Sequence, residues 1–321
     1  MEARMFGSLW PVSPLTIGGG GLGQVWGATS RDEAVATLRE AVGAGITLID
    51  VAPSYGNGEA EDVVGEAFGG RLPAGVRIST KSHVGQQPED VEQRLAAALD
   101  ESLGRMKLSY VDVFILHSQI LPQPDTERQS WTTDLDSFQE KTRPALERLV
   151  EQGRIGAWGI TATQFPEVLE RVFAADPAPA VAQMVANVID APGDMTWTEG
   201  PTRPRQLIAR AKESGIGVMG IRAVQAGALT DGLDRELEPD HPARVDFDRA
   251  APFRALAVEL GETAASLAHR YALSMSGVDT VVLGVKNRAE LAECVRAAES
   301  GALPSDVIAS IDERMQPLRA E

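Results

Sequence analysis

Eight short apolar runs, each followed by a stretch of helical periodicity, constrain this chain more than any other feature. The runs read LTIGG (15–19), TLID (47–50), VRIST (76–80), YVDVFILH (110–117), IGAWGI (155–160), VAQMVANV (181–188), GVMGI (217–221) and DTVVLGV (279–285). Most are continuously apolar, the pattern of strands covered on both faces and hence of a parallel sheet wrapped by helices. The intervening segments carry helix signals. In SRDEAVATLREAVGAG, Ser30 and Glu33 fit a capping box while Val35, Leu38 and Val42 recur at helical spacing. Gly69 and Gly70 end the next segment, and Pro88 suits the first turn of the one after.

Eight such units predict a closed (β/α)8 TIM barrel, a single domain over residues 1–321, rather than an open doubly wound sheet. An open dinucleotide fold needs Gly-x-Gly-x-x-Gly at a helix start with an acid about 20 residues on, and the sequence has none. GGGGLGQVWG (18–27) is glycine-rich, but the next capping signal comes only at Ser30. It is expected as a loop at the barrel mouth, a phosphate-binding loop being the alternative. Two connections are long, polar and proline-bearing: 118–134 after the fourth strand and 228–250 after the seventh. Loops after barrel strands surround the mouth, so both are expected to cover a site there.

A formal net charge of −16 argues against nucleic acid or an anionic membrane as partner. No apolar run approaches the roughly 20 residues that span a bilayer, and the start MEARMFGSLWP lacks a signal peptide's apolar segment. One cysteine, Cys294, rules out an internal disulfide and points to the cytoplasm. No His/Cys/Asp/Glu cluster has metal-ligand spacing, so no metal is expected.

In a barrel the C-terminal ends of all strands meet at one mouth. Read off in order, the second strand ends on Asp50 with Tyr55 in its loop, the third on Lys81, the fourth on His117. Apolar strands ordinarily end on turn formers, so three successive titratable ends imply a site. The types are chemically coherent. A phenol, of pKa about 10, is a poor acid–base group at neutral pH; a nearby ammonium favours its phenolate, and an aspartate holds that ammonium charged. A histidine then orients a substrate oxygen. This set moves a proton to or from a carbonyl or alcohol oxygen. Hydride transfer is beyond any side chain, so a nicotinamide cofactor is implied.

At these residues the chain resembles the aldo-keto reductases. The similarity covers LIDVAPSYGNGEAEDVVGEAF, STKSHVG, YVDVFILH, GRIGAWGI and VVLGVKNRAEL, in order along nearly the whole chain. The family has the (β/α)8 fold and reduces aldehydes or ketones with NADPH, usually without metal. The resemblance makes Tyr55 the acid/base, Lys81 its tuning group, Asp50 the partner of Lys81, and His117 the group that positions the carbonyl. It implies cofactor contacts at Thr161, Gln183, Ile221, Arg222, Gly284, Lys286, Asn287, Arg288 and Glu293, with Asn187 just beyond Gln183. Departures from the family pattern are Ala162 after Thr161, Ile221 where an aromatic often stacks, Glu290 where Arg or Gln is common, and Cys294 near the adenine. NADP is the expected cofactor, Lys286 and Arg288 clasping its 2′-phosphate, with NAD or dual use open because Glu290 opposes that phosphate. Arg222 is expected to meet the pyrophosphate or an acidic substrate.

Trp26, His83 and Trp131 are expected to line the substrate pocket, a loop or surface position being the alternative for each. Tyr110, Tyr271, Trp158 and His269 fit structural roles, His241 a loop, and Glu290 also fits a helix cap. The expected function is an NAD(P)H-dependent oxidoreductase interconverting a small-molecule aldehyde or ketone, sugars and hydroxy-carbonyls included, with its alcohol. A nucleotide-binding regulatory subunit with little turnover and a Schiff-base lyase using Lys81 are the alternatives.

Overall fold

The computed structural model describes residues 1–85, 89–125, 127, 130–195 and 202–319; Pro88 and Trp197 lie outside them. The eight expected strands form β1 (Leu15–Gly18), β2 (Leu48–Asp50), β3 (Arg77–Ser82), β4 (Val111–Leu116), β5 (Ile155–Thr161), β6 (Val181–Val185), β7 (Gly217–Ile221) and β8 (Thr280–Leu283). All neighbours pair in parallel, and β8 pairs with β1 to close the barrel.

Each strand hands over to a helix that covers it: α1 (Arg31–Gly43), α2 (Glu59–Phe68), α3 (Val91–Met106), α4 (Arg143–Glu151), α5 (Pro166–Phe173), α6 (Pro204–Glu213), α7 (Ala264–Ser274) and α8 (Arg288–Glu299). Ser30 caps α1, its side chain accepting from the Glu33 N–H. Gly69 ends α2 in the left-handed conformation (φ 59°), where a side chain would be strained. The main core lies between strands and helices and includes Ile17, Ile49, Phe114, Ile160 and Val218. A second cluster of Phe6, Val12, Leu48, Val113, Ile115, Val181 and Met219 joins barrel residues to the N-terminal hairpin (Arg4–Met5 with Pro11–Val12).

The glycine-rich stretch differs from the loop expected: Gly19–Leu22 is a short buried helical turn. A Cβ at Gly21 would stand 1.9 Å from the Val285 carbonyl oxygen, so only glycine lets this turn touch the β8 loop. The long connections also carry structure. After β4, Gln119–Leu121 pairs with Thr132–Asp134. After β7 come the tight turn Gln225–Gly227 and the helix Pro242–Arg249, whose first turn is capped by His241 Nδ1. The sequence showed them only as long polar connections because such short elements are fixed by tertiary contacts rather than by periodicity.

Candidate active site

Strand register assembles the site. Asp50 on β2 stands beside Gly18 on β1 and Ser79 on β3, while Thr161 on β5 stands beside Gln183 on β6. Lys81, two residues beyond Ser79, comes from the same face of β3. Its Nζ donates to Asp50 Oδ2 and to the Val51 carbonyl, both at 2.8 Å. Asp50 also accepts from Ser79 Oγ (2.7 Å) and Gln183 Nε2 (3.0 Å). The carboxylate and ammonium are buried, yet paired and hydrogen-bonded, which makes a buried charge pair tolerable.

Tyr55 enters from the β2 loop, its ring centroid 4.7 Å from Lys81 Nζ. His117, just past β4, is fixed by its N–H donating to the Ser82 carbonyl, and its ring meets Tyr55 edge-on at 5.9 Å. Burial raises the phenol above its usual pKa and outweighs the opposing pull of Lys81. The proximity of the ammonium favours a phenolate, but here the phenol keeps its proton. Burial also works to lower the Lys81 ammonium, and Asp50 and Tyr55 hold it above its usual value instead. His117 is pushed well below its usual value by burial, then by Lys81 and His83. At neutral pH an ammonium held by Asp50, a phenol and a neutral imidazole thus stand together.

A cavity of about 610 Å3 runs from Asp50, Tyr55 and His117 past Thr161, Gln183, Ile221 and Arg222 to Gly284, Lys286, Glu290, Glu293 and Cys294. It is within the usual size of a small-molecule or cofactor site. Thr161 Oγ1 and Arg222 Nη1 are buried without a partner among the described residues, so the wall carries polar atoms that a ligand would satisfy. Trp26 lines the cavity. His83 and Trp131 do not: His83 stacks on His117 (4.8 Å, 21°), and Trp131 meets His83 edge-on at 3.8 Å.

At the Gly284 end three expected contacts have other engagements. Arg288 is outside the cavity wall, its N–H, Nε and Nη2 all donating to Glu33 on α1. Asn287 caps α8, accepting from the Glu290 N–H at 2.9 Å. The Glu290 carboxylate accepts instead from the Lys286 N–H, one residue before the cap, at 2.8 Å, and lies 3.3 Å from Lys286 Nζ. Lys286 Nζ also pairs with Asp234 of the β7 loop. Asn187 is a fully buried organiser of the β6 loop, bonding Ile189, Ala191 and the Arg222 carbonyl. His269 lines the cavity but is buried, its Nδ1 on the Ala265 carbonyl and its Nε2 3.7 Å from Cys294 Sγ. Burial pushes that thiol up to about 12, so it is inert.

Residues 14–315 match the family model of the Aldo/keto reductase family.

The chain belongs to the aldo/keto reductase family.

At the family level this makes it a carbonyl–alcohol oxidoreductase. Among curated relatives of this aldo/keto reductase, L-galactose dehydrogenase of Arabidopsis thaliana is 27% identical over 99% of this chain and 96% of its own length. D-threo-aldose 1-dehydrogenase of a Pseudomonas species is 27% identical over 88% of each chain. The solved glycerol dehydrogenase of Gluconobacter oxydans superposes with a TM-score of 0.73 at 21% identity, covering 98% of this chain and 95% of its own. An aldo/keto reductase from Klebsiella pneumoniae, solved with NADP and acetate, superposes with a TM-score of 0.69 at 24% identity, covering 97% and 94%. These likenesses bear out the barrel and the family that the sequence predicts. The pairing of Arg288 with Glu33, of Arg222 with Asp194 and of Lys286 with Asp234 had no signal in the sequence, which offered Glu33 only as a helix cap.

Proposed function

We propose that this aldo/keto reductase interconverts an aldehyde or ketone with its alcohol, Tyr55 acting as the acid/base and NADP as the dinucleotide. The observation that carries the reading is the Tyr55 phenol beside the buried Lys81–Asp50 pair, with Tyr55 and Asp50 in the wall of one cavity. When bound, the nicotinamide supplies or accepts the hydride. Tyr55 gives its proton to the carbonyl oxygen in reduction and recovers one in alcohol oxidation. Lys81, held charged by Asp50, stabilises the phenolate left behind. The neutral imidazole of His117 offers one N–H to the same substrate oxygen. Thr161 and Gln183 suit the polar edge of the nicotinamide and Ile221 its face. Gly284, Lys286 and Glu293 suit the adenosine end, where Asn287 and Arg288 act through the helix cap and α1.

The sugar substrates named for two of the relatives support a hydroxylated carbonyl compound as substrate. A cytoplasmic setting is proposed from the lone buried Cys294. NAD is a second reading with its own observation: Lys286 and Arg288 already face Asp234, Glu290 and Glu33. A regulatory subunit would not need a complete tetrad. Lys81, fully engaged and held protonated, is a poor imine former.

Incubation with NADPH or NADH and a carbonyl panel, followed at the reduced-nicotinamide absorbance band, tests the reading. Tyr55→Phe is expected to lower turnover by two or more orders of magnitude while dinucleotide binding stays within about threefold of wild type. Undiminished turnover in that variant removes Tyr55 from its role.

A further inference from the structure

Arg222 is the cation of this cavity whose binding capacity is unspent. It follows Ile221 at the end of β7 in the left-handed region (φ 62°), which a residue other than glycine occupies only when its surroundings enforce it. Asn187 Nδ2 and the Gln225 N–H both donate to its carbonyl and fix that geometry. The guanidinium, 8% exposed, lies over the Trp26 ring at 5.5 Å and pairs through Nη2 with Asp194, which is 48% exposed. Nη1 is buried and has no partner among the described residues. An unmet buried donor is costly to the folded protein, and an arriving acceptor recovers that cost. The other cations of the wall are engaged: Lys286 with Asp234 and Glu290, and Arg235 with Asp234 and the Ala226 carbonyl.

Position selects the ligand. Arg222 and Tyr55 line the same cavity, and the guanidinium acts electrostatically on the phenol that meets the reacting oxygen. A small molecule with its carbonyl at Tyr55 therefore shares one cavity with Nη1, the buried donor left for a second substituent. Asp194 already neutralises the guanidinium, so a singly charged carboxylate is a better match than a doubly charged phosphate or pyrophosphate.

We propose that Arg222 is the receptor for a carboxylate on the substrate, so that the enzyme acts on carbonyl compounds, or their alcohols, that carry an acid group. This rests on the oxidoreductase reading above. The test uses the protein saturated with oxidised NADP, where an aldehyde binds without turnover. Calorimetry compares 4-carboxybenzaldehyde with its uncharged counterpart, methyl 4-formylbenzoate. The acid is expected to bind wild type at least about tenfold more tightly, the size of one charge-assisted bond. In Arg222→Met the two affinities should fall within about twofold of each other. In Asp194→Asn, which removes the opposing charge from the guanidinium, the preference for the acid should widen; this variant decides the matter where Arg222→Met fails to fold.

Equal affinities in wild type, or an acid preference that survives Arg222→Met, overturns the proposal. So does an unchanged preference in Asp194→Asn. Weakened NADP binding by Arg222→Met with the preference intact assigns Arg222 to the dinucleotide pyrophosphate instead. Because the binding ratio needs no chemistry, an enzyme that oxidises no reduced nicotinamide sinks the oxidoreductase reading separately.

Discussion

Lys81 and Asp50 hold each other in a place where neither charge survives alone. Lys81→Met leaves the carboxylate buried with only Ser79 and Gln183 as donors. Breaking a buried pair from one side costs on the order of 3–5 kcal/mol. Urea unfolding of Lys81→Met should show a loss of that size together with loss of turnover, whereas Tyr55→Phe should change stability by less than about 1 kcal/mol. A small effect of Lys81→Met would mean that Asp50 is protonated or reaches water. Glu290 is the second decisive residue, because its carboxylate serves both the Lys286 N–H and the charge balance of Lys286. Glu290→Gln keeps an acceptor for the Lys286 N–H and removes the charge. The affinity ratio of NADP to NAD, from fluorescence titration, should rise roughly two- to fivefold, the scale of one solvent-touched ion pair; an unaltered ratio would leave Glu290 as a backbone acceptor alone. The tetrad was legible because a charged residue at the end of an apolar strand contradicts burial unless it has partners. The fate of Arg288 was not, since Glu33 lies 255 positions away and nothing local announces it.

At the scale of elements, the mouth depends on close backbone contact between the β1 turn and the β8 loop. Gly18, Gly19 and Gly20 line the cavity, and Gly21 packs against the Val285 and Gly284 carbonyls. In Gly21→Ala the new methyl has only backbone to push against, so the Gly284 segment must move outward. Overpacking of this kind costs about 1–3 kcal/mol, and because Gly284 lines the cavity, dinucleotide affinity should fall with it. A thermal melt and a titration with NADPH check both; a variant with lowered melting temperature and undiminished affinity would show that the dinucleotide does not depend on this contact. The strands and helices themselves were readable from period and caps. The turn Gly19–Leu22 was not, because four residues are too few to show a helical period. The same holds for the short strands after β4. The sequence located the long loops, but their engagements, Asp234 on Lys286 above all, depend on how β7 and β8 present them.

Three of the four histidines, His83, His117 and His269, are desolvated by the groups packed around them, and that sets how the molecule responds to acid. Burial lowers His83 to about 4, His117 well below its usual value, and His269 below it as well. His241 instead caps a helix in the β7 loop. In the unfolded chain each histidine titrates near 6.5. Between that value and the folded pKa the unfolded state binds protons that the folded state refuses, so stability rises with pH across this window. The stabilisation is complete above about pH 6.5 and is lost as the pH falls through about 4. His83 isolates the effect, since its ring stacks on His117 without lining the cavity. His83→Phe retains an aromatic ring in that stack and removes its proton equilibrium. Between pH 6.5 and 4.5, urea unfolding of wild type should lose on the order of 2–3 kcal/mol more than His83→Phe, the linkage value of one histidine depressed this far. Parallel pH profiles for the two proteins would mean that His83 reaches solvent in the folded state, and that the stack against His117 and Trp131 is open.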